Sequence, residues 1–93
     1  MPKRIEVSHQ WQQISDLYPG TQPTDIFKGQ VVKGVVMVAS EAELPATNDH
    51  FTFRSKAEGG FTDEWFQAGE EGKKAFVRSA SATKAEIVVE VVV

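Results

Sequence analysis

His9 and His50 are the two histidines of this 93-residue chain, and histidine is the side chain that normally titrates near neutral pH. His50 directly follows Asp49. Neighbouring residues of a strand point to opposite faces, so this spacing does not pair an imidazole with an orienting carboxylate. The serines lie outside any Gly-x-Ser-x-Gly sequence, which would place a nucleophile on a strand-to-helix turn. The chain therefore predicts no catalytic residue and a protein that is not an enzyme.

Metal and cofactor binding also lack a sequence signature. The chain has no cysteine, and no His-x-His, Glu-x-x-His or calcium-loop spacing occurs in it. The acidic pairs Asp63-Glu64 and Glu70-Glu71 could meet around a hard cation, but surface loops often hold such pairs by chance. Gly59-Gly60 precedes a strand-like segment, whereas phosphate binding uses the N-terminus of a helix. We expect neither a metal nor a cofactor.

The aromatic residues offer another kind of site, a surface on which a ligand ring stacks. Trp65 and Phe66 form the candidate ligand platform. Trp65 follows two acids, Asp63 and Glu64, which are typical of an exposed position. A core role and a platform role are about equally expected for Trp65. Trp11 is instead expected to be mostly buried, since a Trp usually anchors the core of so small a domain.

Charge is distributed unevenly along the chain, whose net charge is −3. Residues 41–72 hold eight acids and two basic residues, a net of −6, and the segments on either side are slightly basic. Nucleic-acid-binding proteins usually present a basic face, so we expect no nucleic acid as a partner. An acidic middle is typical of solvated loops, with cation binding or attraction to a basic partner as the alternatives.

No part of the sequence reads as a membrane or targeting segment. The apolar end of the chain, residues 87–93, is much shorter than a membrane span, and no hydrophobic run of leader length follows the first residues. We expect no membrane partner and synthesis in the cytoplasm.

Hydrophobic alternation predicts strands along most of the chain. No twelve-residue window carries an apolar stripe of period 3.6, which predicts little or no helix. Turn signals recur about every ten residues, as in antiparallel sandwiches and barrels. We predict a single all-β domain over residues 1–93, a small antiparallel β-sandwich or barrel of about six or seven strands.

The segment 24–40 is predicted to form two strands. The preferred turn between them is at Lys33-Gly34, and a turn at Lys28-Gly29 is the alternative. The run Val35–Ala39 is apolar on both faces, which indicates a central strand covered on both sides.

The last twenty-one residues, Lys73 to Val93, are expected to organise the fold as a β-hairpin. Both arms are rich in β-branched or aromatic residues, and small residues separate them. Apolar and charged residues then match across the two arms in one register. The expected cross-strand pairs are Val77 with Ile87, Arg78 with Glu86, and Lys74 with Glu90.

Val88 and Val92 are candidate interface residues, because they lie on the charged face of that hairpin. The run Ile87 to Val93 is interrupted only by Glu90 and ends without the charge, proline or bulge that protects an open edge. A homo-oligomer that covers this strand is one solution, and we favour it. A monomer with the strand inside its sheet is the other.

The order of these features resembles the small all-β structural proteins of tailed bacteriophage particles. An opening strand precedes Trp11-x-x-Ile14, and Pro45 soon follows Val35–Ser40. The chain then ends on Ala75–Ser79, a gap of small residues, and Ala85–Val89. Such chains often have Trp or Tyr where Phe76 stands, and Asp63-Glu64-Trp65 has no counterpart in them.

This resemblance implies a virion component, made in the bacterial cytoplasm, that decorates a capsid or joins a tail or fibre. Its partners would be phage capsid or tail proteins, or further copies of itself as a homo-oligomer. The resemblance implies no catalytic residue. The sequence thus predicts a non-enzymatic structural protein that acts through protein–protein contacts.

Two other functions stay open. A carbohydrate- or ligand-binding β-sandwich module would bind a sugar through Trp65 and Phe66. An assembly or host-interaction protein would instead recognise its partner by strand addition.

Overall fold

The computed structural model describes residues 2–45, 51–59 and 62–92. In these ranges the chain forms eight β-strands, one α-helix of a single turn and one 3₁₀ turn at Lys56–Glu58. The elements are β1 (Lys3–Val7), β2 (Gln12–Gln13), α1 (Ile14–Leu17), β3 (Phe27–Lys33), β4 (Val35–Glu41), β5 (Phe51–Arg54), β6 (Trp65–Ala68), β7 (Lys74–Ser79) and β8 (Ala85–Val91).

Two four-stranded antiparallel sheets form a small β-sandwich, which confirms the predicted all-β fold. One sheet, here called the β8 sheet, has the strand order β1-β8-β3-β6. The other, the β4 sheet, has the order β2-β7-β4-β5. The short pair Gln12–Gln13, which the sequence did not predict as a strand, adds an edge strand to the β4 sheet.

The core lies between the two sheets. Val31 and Ile87 of the β8 sheet and Val36 and Val77 of the β4 sheet are fully buried in one cluster. Phe27 is the largest fully buried side chain. Trp11 is mostly covered, as expected, but it does not belong to this core cluster.

Trp11 packs outside the core against a charged side chain. The guanidinium of Arg78, on β7, lies 5.9 Å from the centroid of the Trp11 ring, within range of a cation–π contact. One face of the indole is thus covered by a charged side chain that remains partly exposed. Trp11 covers the surface of the β4 sheet near its β2 edge.

The predicted terminal hairpin is wrong. β7 pairs with β2 and β4, whereas β8 pairs with β1 and β3 in the opposite sheet. Residues 80–84 carry the chain between the sheets, and the Ser79 hydroxyl donates a 2.6 Å hydrogen bond to the Thr83 carbonyl across this bend. Val77 and Ile87 therefore face each other's sheet across the core instead of pairing side by side.

The residues of both arms consequently have other partners than predicted. Neighbouring strands in each sheet supply them, since β7 and β8 are both interior strands. Val77 lies opposite Gln12 and Val38, Ile87 lies opposite Ile5 and Val31, Lys74 lies opposite Glu41, Met37 lies opposite Arg78, Glu86 pairs with Arg4, and Glu90 pairs with Lys28.

The preferred division of segment 24–40 is confirmed, because β3 and β4 meet at Gly34. This glycine has φ of +80°, the left-handed region that favours glycine, and the chain changes sheet there. Gly29, the alternative turn, lies inside β3. The prediction of a covered central strand is also confirmed, since Val36–Ala39 in β4 are buried on both faces between β5 and β7.

Candidate functional site

The described residues show no arrangement suited to metal binding. His9 is exposed, and His50 lies outside the described residues. In residues 2–45, 51–59 and 62–92, no group of three or more His, Asp or Glu side chains is placed to hold a metal ion. Over the same ranges, none of the helices has the length and apolar character needed to cross a membrane.

Trp65 lies on the outer face of the β8 sheet, on its edge strand β6, and is 64% exposed. The strand register places Trp65 opposite Gln30 of β3, and Gln30 opposite Val88 of β8. Residues paired across strands share a face of the sheet, so Trp65 and Val88 lie on one surface, two strands apart. The structure thus brings together a residue of the predicted platform and a residue of the predicted interface.

A shallow depression joins Trp65 to Val88. Its volume is about 50 Å³, and the ion pair between Lys28 Nζ and Glu90 Oε1, at 2.9 Å, lies at its border. Ligand pockets usually have volumes of about 300–1,000 Å³. The depression is therefore suited to receive one small apolar group of a contacting surface, not to enclose a ligand.

Phe66 does not share this surface, so the predicted Trp65–Phe66 platform is wrong. Phe66 is 5% exposed and packs in the core, where its ring centroid lies 5.7 Å from that of Phe53 on the β4 sheet. Because successive residues of a strand point to opposite faces, an outward Trp65 requires an inward Phe66. The candidate platform is reduced to Trp65.

Val92 extends the outer face of the β8 sheet beyond the end of β8. It is 41% exposed, and its backbone N–H donates a 2.8 Å hydrogen bond to the carbonyl of Ile26. Strand alternation places Val88, Glu90 and Val92 on this same face. We call the surface formed by Trp65, Val88 and Val92 the Trp65 face.

The β8 strand itself is protected from edge-to-edge pairing. It lies between β1 and β3, which hydrogen-bond to its two edges. This is the monomer solution considered from the sequence, in which the strand is inside its sheet. Any contact that involves Val88 and Val92 must therefore form across the face of the sheet.

Ion pairs surround the apolar part of the Trp65 face. Arg4 Nε donates a 3.0 Å hydrogen bond to Glu86 Oε1, and Lys33 Nζ lies 4.0 Å from the other carboxylate oxygen. The Arg4 hydrogen bond is the largest influence on the pKa of Glu86 and lowers it; partial desolvation opposes this, and the charges of Arg4 and Lys33 add to it. The face thus presents fixed charges of both signs.

A second opening, which sequence reasoning missed, lies between β5 and β6, the adjacent edge strands of the two sheets. It has a volume of about 310 Å³, and Val38, Phe51 and Phe53 supply its apolar lining. Gln67 and Glu70 line it from the side of the β8 sheet. We call this opening the β5–β6 cleft.

The alternation of Phe51 and Phe53 in the sequence already placed both rings on one face of a strand. Their exposure could not be predicted, because it depends on how far the opposite sheet extends over them.

Comparison with known proteins found no relative of this chain. No protein family matches the chain, and neither a curated protein nor a solved structure matches it. The Trp65 face and the β5–β6 cleft are the features of the described residues that bear on function.

Proposed function

We propose that this chain is a non-enzymatic structural protein of a tailed bacteriophage or prophage particle, which acts through protein–protein contacts of the Trp65 face. The observation that carries the proposal is a Trp that is 64% exposed on the face of a regular sheet, beside Val88. Trp is enriched at protein interfaces and contributes strongly to binding when a partner covers it. The resemblance to small phage structural proteins supplies the class of partner.

The ion pairs around Trp65 also suit a protein partner. Lys28–Glu90 and Arg4–Glu86 hold charges of both signs at defined positions around the apolar centre. A rim of this kind contributes specificity and orientation more than affinity. We infer that Trp65 and Val88 supply the contact energy and that the charged pairs select the partner.

The size of the face indicates that one such contact, taken alone, is weak. Strands of 5, 7, 7 and 4 residues, at about 3.3 Å per residue and spaced about 4.8 Å apart, give a flat area of about 360 Å² on each partner. Stable interfaces usually bury about 1,200–2,000 Å² in total, above the roughly 700 Å² expected here. Repeated contacts on a capsid or tail would compensate, because linked sites bind with avidity.

Co-sedimentation with phage particles tests the proposal. Particles purified from the bacterial strain that encodes the chain should contain it by mass spectrometry. Purified chain added to particles from which the gene has been deleted should pellet with them. Trp65→Ala should remove most of this binding and leave the chain folded, since the ring lies on the outer face of the sheet.

Leu44→Ala is the matched control, because Leu44 is also 64% exposed but lies in the loop after β4. It should pellet as the parent chain does. Particles that lack the chain would contradict the virion proposal. Equal binding by the Trp65 variant and the parent would contradict the assignment of the Trp65 face.

A carbohydrate-binding module is the second candidate, and the same exposed Trp65 favours it. An indole on a flat sheet face can stack on a sugar ring. The neighbouring strand places Gln30 and Lys28 on the same face, where they bond to the Asp63 carbonyl and to Glu90. Trp11→Phe leaves Trp65 as the fluorescent indole. Saturable quenching of that variant by a sugar, abolished by Trp65→Ala, would favour this function over the virion proposal.

A further inference from the structure

The outer edge of β5 begins a second backbone pairing, which no other described strand continues. β4 occupies one edge of β5, from Phe51 to Arg54. On the other edge, the backbone N–H of Glu64 donates to the Arg54 carbonyl at 2.9 Å, and the Arg54 N–H donates to the Glu64 carboxylate at 2.6 Å. Among the described residues, no strand pairs with this edge at Phe51–Phe53.

Thr52 is the backbone position that this edge leaves open. In an antiparallel strand the N–H and C=O of alternate residues point to the same edge, so those of Thr52 point as those of Arg54 do. Arg54 is bonded to Glu64, and from there the chain leads away to β6 in the other sheet. One further residue pair of an added strand would fit at Thr52.

The side chain of Phe51, next to Thr52, is also left uncovered. It lies opposite Val38, whose side chain faces the core, so Phe51 also points to the inner side of the β4 sheet. Its side chain is nevertheless 82% exposed. The reason is the β5–β6 cleft, into which Phe51 and Phe53 project from one sheet while Gln67 lines it from the other.

The β5 edge is short and ends on Arg54, but its first three residues lack the charges that protect the edge strand β1. β1, an edge strand of the other sheet, carries Lys3, Arg4 and Glu6, and such charges oppose pairing with another chain. Phe51–Phe53 contains no charge and no proline, and its backbone shows no bulge in its pairing with β4. Among the described residues, this edge is therefore accessible to an added strand at Thr52, which is exposed.

We propose that the β5 edge binds an extended segment of a partner protein by strand addition, with an apolar side chain of that segment packed on Phe51 in the β5–β6 cleft. Carboxylates of Glu41 and Glu70 line the cleft, and none of its described lining residues is basic. Lys73 offsets part of this charge through its 3.4 Å contact with Glu70. The segment is accordingly apolar with basic residues, and the site is separate from the Trp65 face.

Labelled peptides test this proposal on the full chain. The probe is a fluorescent seven-residue peptide of alternating Lys and Val. Its first control replaces Lys by Glu, and its second carries N-methyl groups on the backbone, which remove hydrogen-bond donors. Fluorescence anisotropy should show saturable binding of the Lys peptide, at least about tenfold tighter than that of either control.

Two variants locate the binding. Phe51→Ala removes an exposed ring and should weaken binding about tenfold or more, as truncation of a central contact does. Thr52→Pro removes the backbone donor at the open edge, a position where proline is tolerated, and should abolish binding. Trp65→Ala is the control, since it truncates an exposed aromatic on the other surface, and should bind the peptide as the parent does. Amide NMR should confirm that each variant is folded.

Hydrogen exchange distinguishes strand addition from electrostatic attraction alone, because attraction alone would not protect a backbone amide. Bound Lys peptide should slow exchange of the Thr52 amide, because a new strand would hydrogen-bond to it. Equal binding of the N-methylated peptide, or an unchanged Thr52 amide, would overturn the proposal. The proposal would also be overturned if exchange of the Thr52 amide slowed without peptide as the chain dimerised. A second copy of the chain would then occupy the β5 edge.

Discussion

At the scale of single residues, the close packing of the β8 sheet depends on Gly29. A Cβ atom at this position would lie 2.6 Å from Phe66 Cζ and 2.8 Å from Val89 Cγ1, closer than such atoms approach in proteins. Gly29→Ala should therefore destabilise the fold by about 1–3 kcal/mol through overpacking. Urea denaturation measures this change in the free energy of unfolding.

A second substitution distinguishes steric crowding from backbone effects. Phe66→Leu shortens the side chain that the new methyl group would meet. In the Phe66→Leu background, the cost of Gly29→Ala should fall clearly, giving a favourable coupling energy in the double-mutant cycle. Strictly additive costs would show that the ring is not the obstacle.

Glu86 provides a prediction about pH. Its pKa is lowered, chiefly by the hydrogen bond from Arg4. Because the folded-state pKa lies below the unfolded value, this contribution to stability is present above the unfolded pKa and is lost as the pH falls through the folded pKa. Arg4→Gln should raise the pKa of Glu86, as followed by carboxyl NMR, and make stability fall less steeply in acid.

Lys33→Gln is the matched comparison, since Lys33 approaches Glu86 only at 4.0 Å and makes a smaller contribution. It should raise the Glu86 pKa less than Arg4→Gln does. The reverse order would mean that the charge of Lys33, and not the hydrogen bond from Arg4, is the main influence on the pKa of Glu86.

The residue scale also shows where sequence reasoning about the site stops. Trp65 and Phe66 are adjacent, so alternation predicts that one faces the core, but not which one. The register of β6 against β3 decides this, and it is set by the space above Gly29 that admits Phe66. Such a fit between distant segments is not visible in a single sequence.

At the scale of elements, the strands were largely predictable but their pairing was not. Alternation located β7 and β8, and the apolar run Val35–Ala39 located the interior of β4. The hairpin prediction failed because Val77 and Ile87 can be buried equally well in one sheet or across two. The bend at residues 80–84, held by Ser79 and Thr83, is long enough to change sheet.

The interior position of β8 predicts the effect of truncation. Ile87 and Val89 are buried, and both edges of the strand are paired. Each buried Val or Ile contributes about 1.5–3 kcal/mol, against a total stability of about 5–15 kcal/mol. A chain that ends at Glu86 should therefore show the narrow amide dispersion of an unfolded protein.

A chain that lacks only residues 92 and 93 separates loss of the strand from loss of length. Val92 is partly exposed and contributes one backbone hydrogen bond, to Ile26. This shorter truncation should remain folded with a modest drop in stability. Native dispersion in the chain that ends at Glu86 would contradict the central role of β8.

At the scale of the whole molecule, the two candidate surfaces lie on different parts of the sandwich. The Trp65 face belongs to the outer side of the β8 sheet, and the β5–β6 cleft opens between the sheets. A protein with both could contact two partners at once, as a component that joins parts of a particle must. The sequence alone could suggest Val88, Val92 and Trp65 but not the cleft, since the cleft forms between edge strands of two different sheets.

Self-association tests the Trp65 face without any partner. The ion pairs Arg4–Glu86 and Lys28–Glu90 place both signs of charge beside Val88, so a two-fold-related copy can set acids against bases. The small area predicts weak association, because about 700 Å² is below the range of stable dimers. Light scattering should give a mass near 10.3 kDa at low micromolar concentration and a higher mass at hundreds of micromolar. Val88→Lys should keep the chain monomeric throughout, whereas Leu44→Lys, which adds the same charge in a loop, should associate as the parent does. A constant mass for the parent chain would exclude self-contact, and equal association of both variants would place it elsewhere.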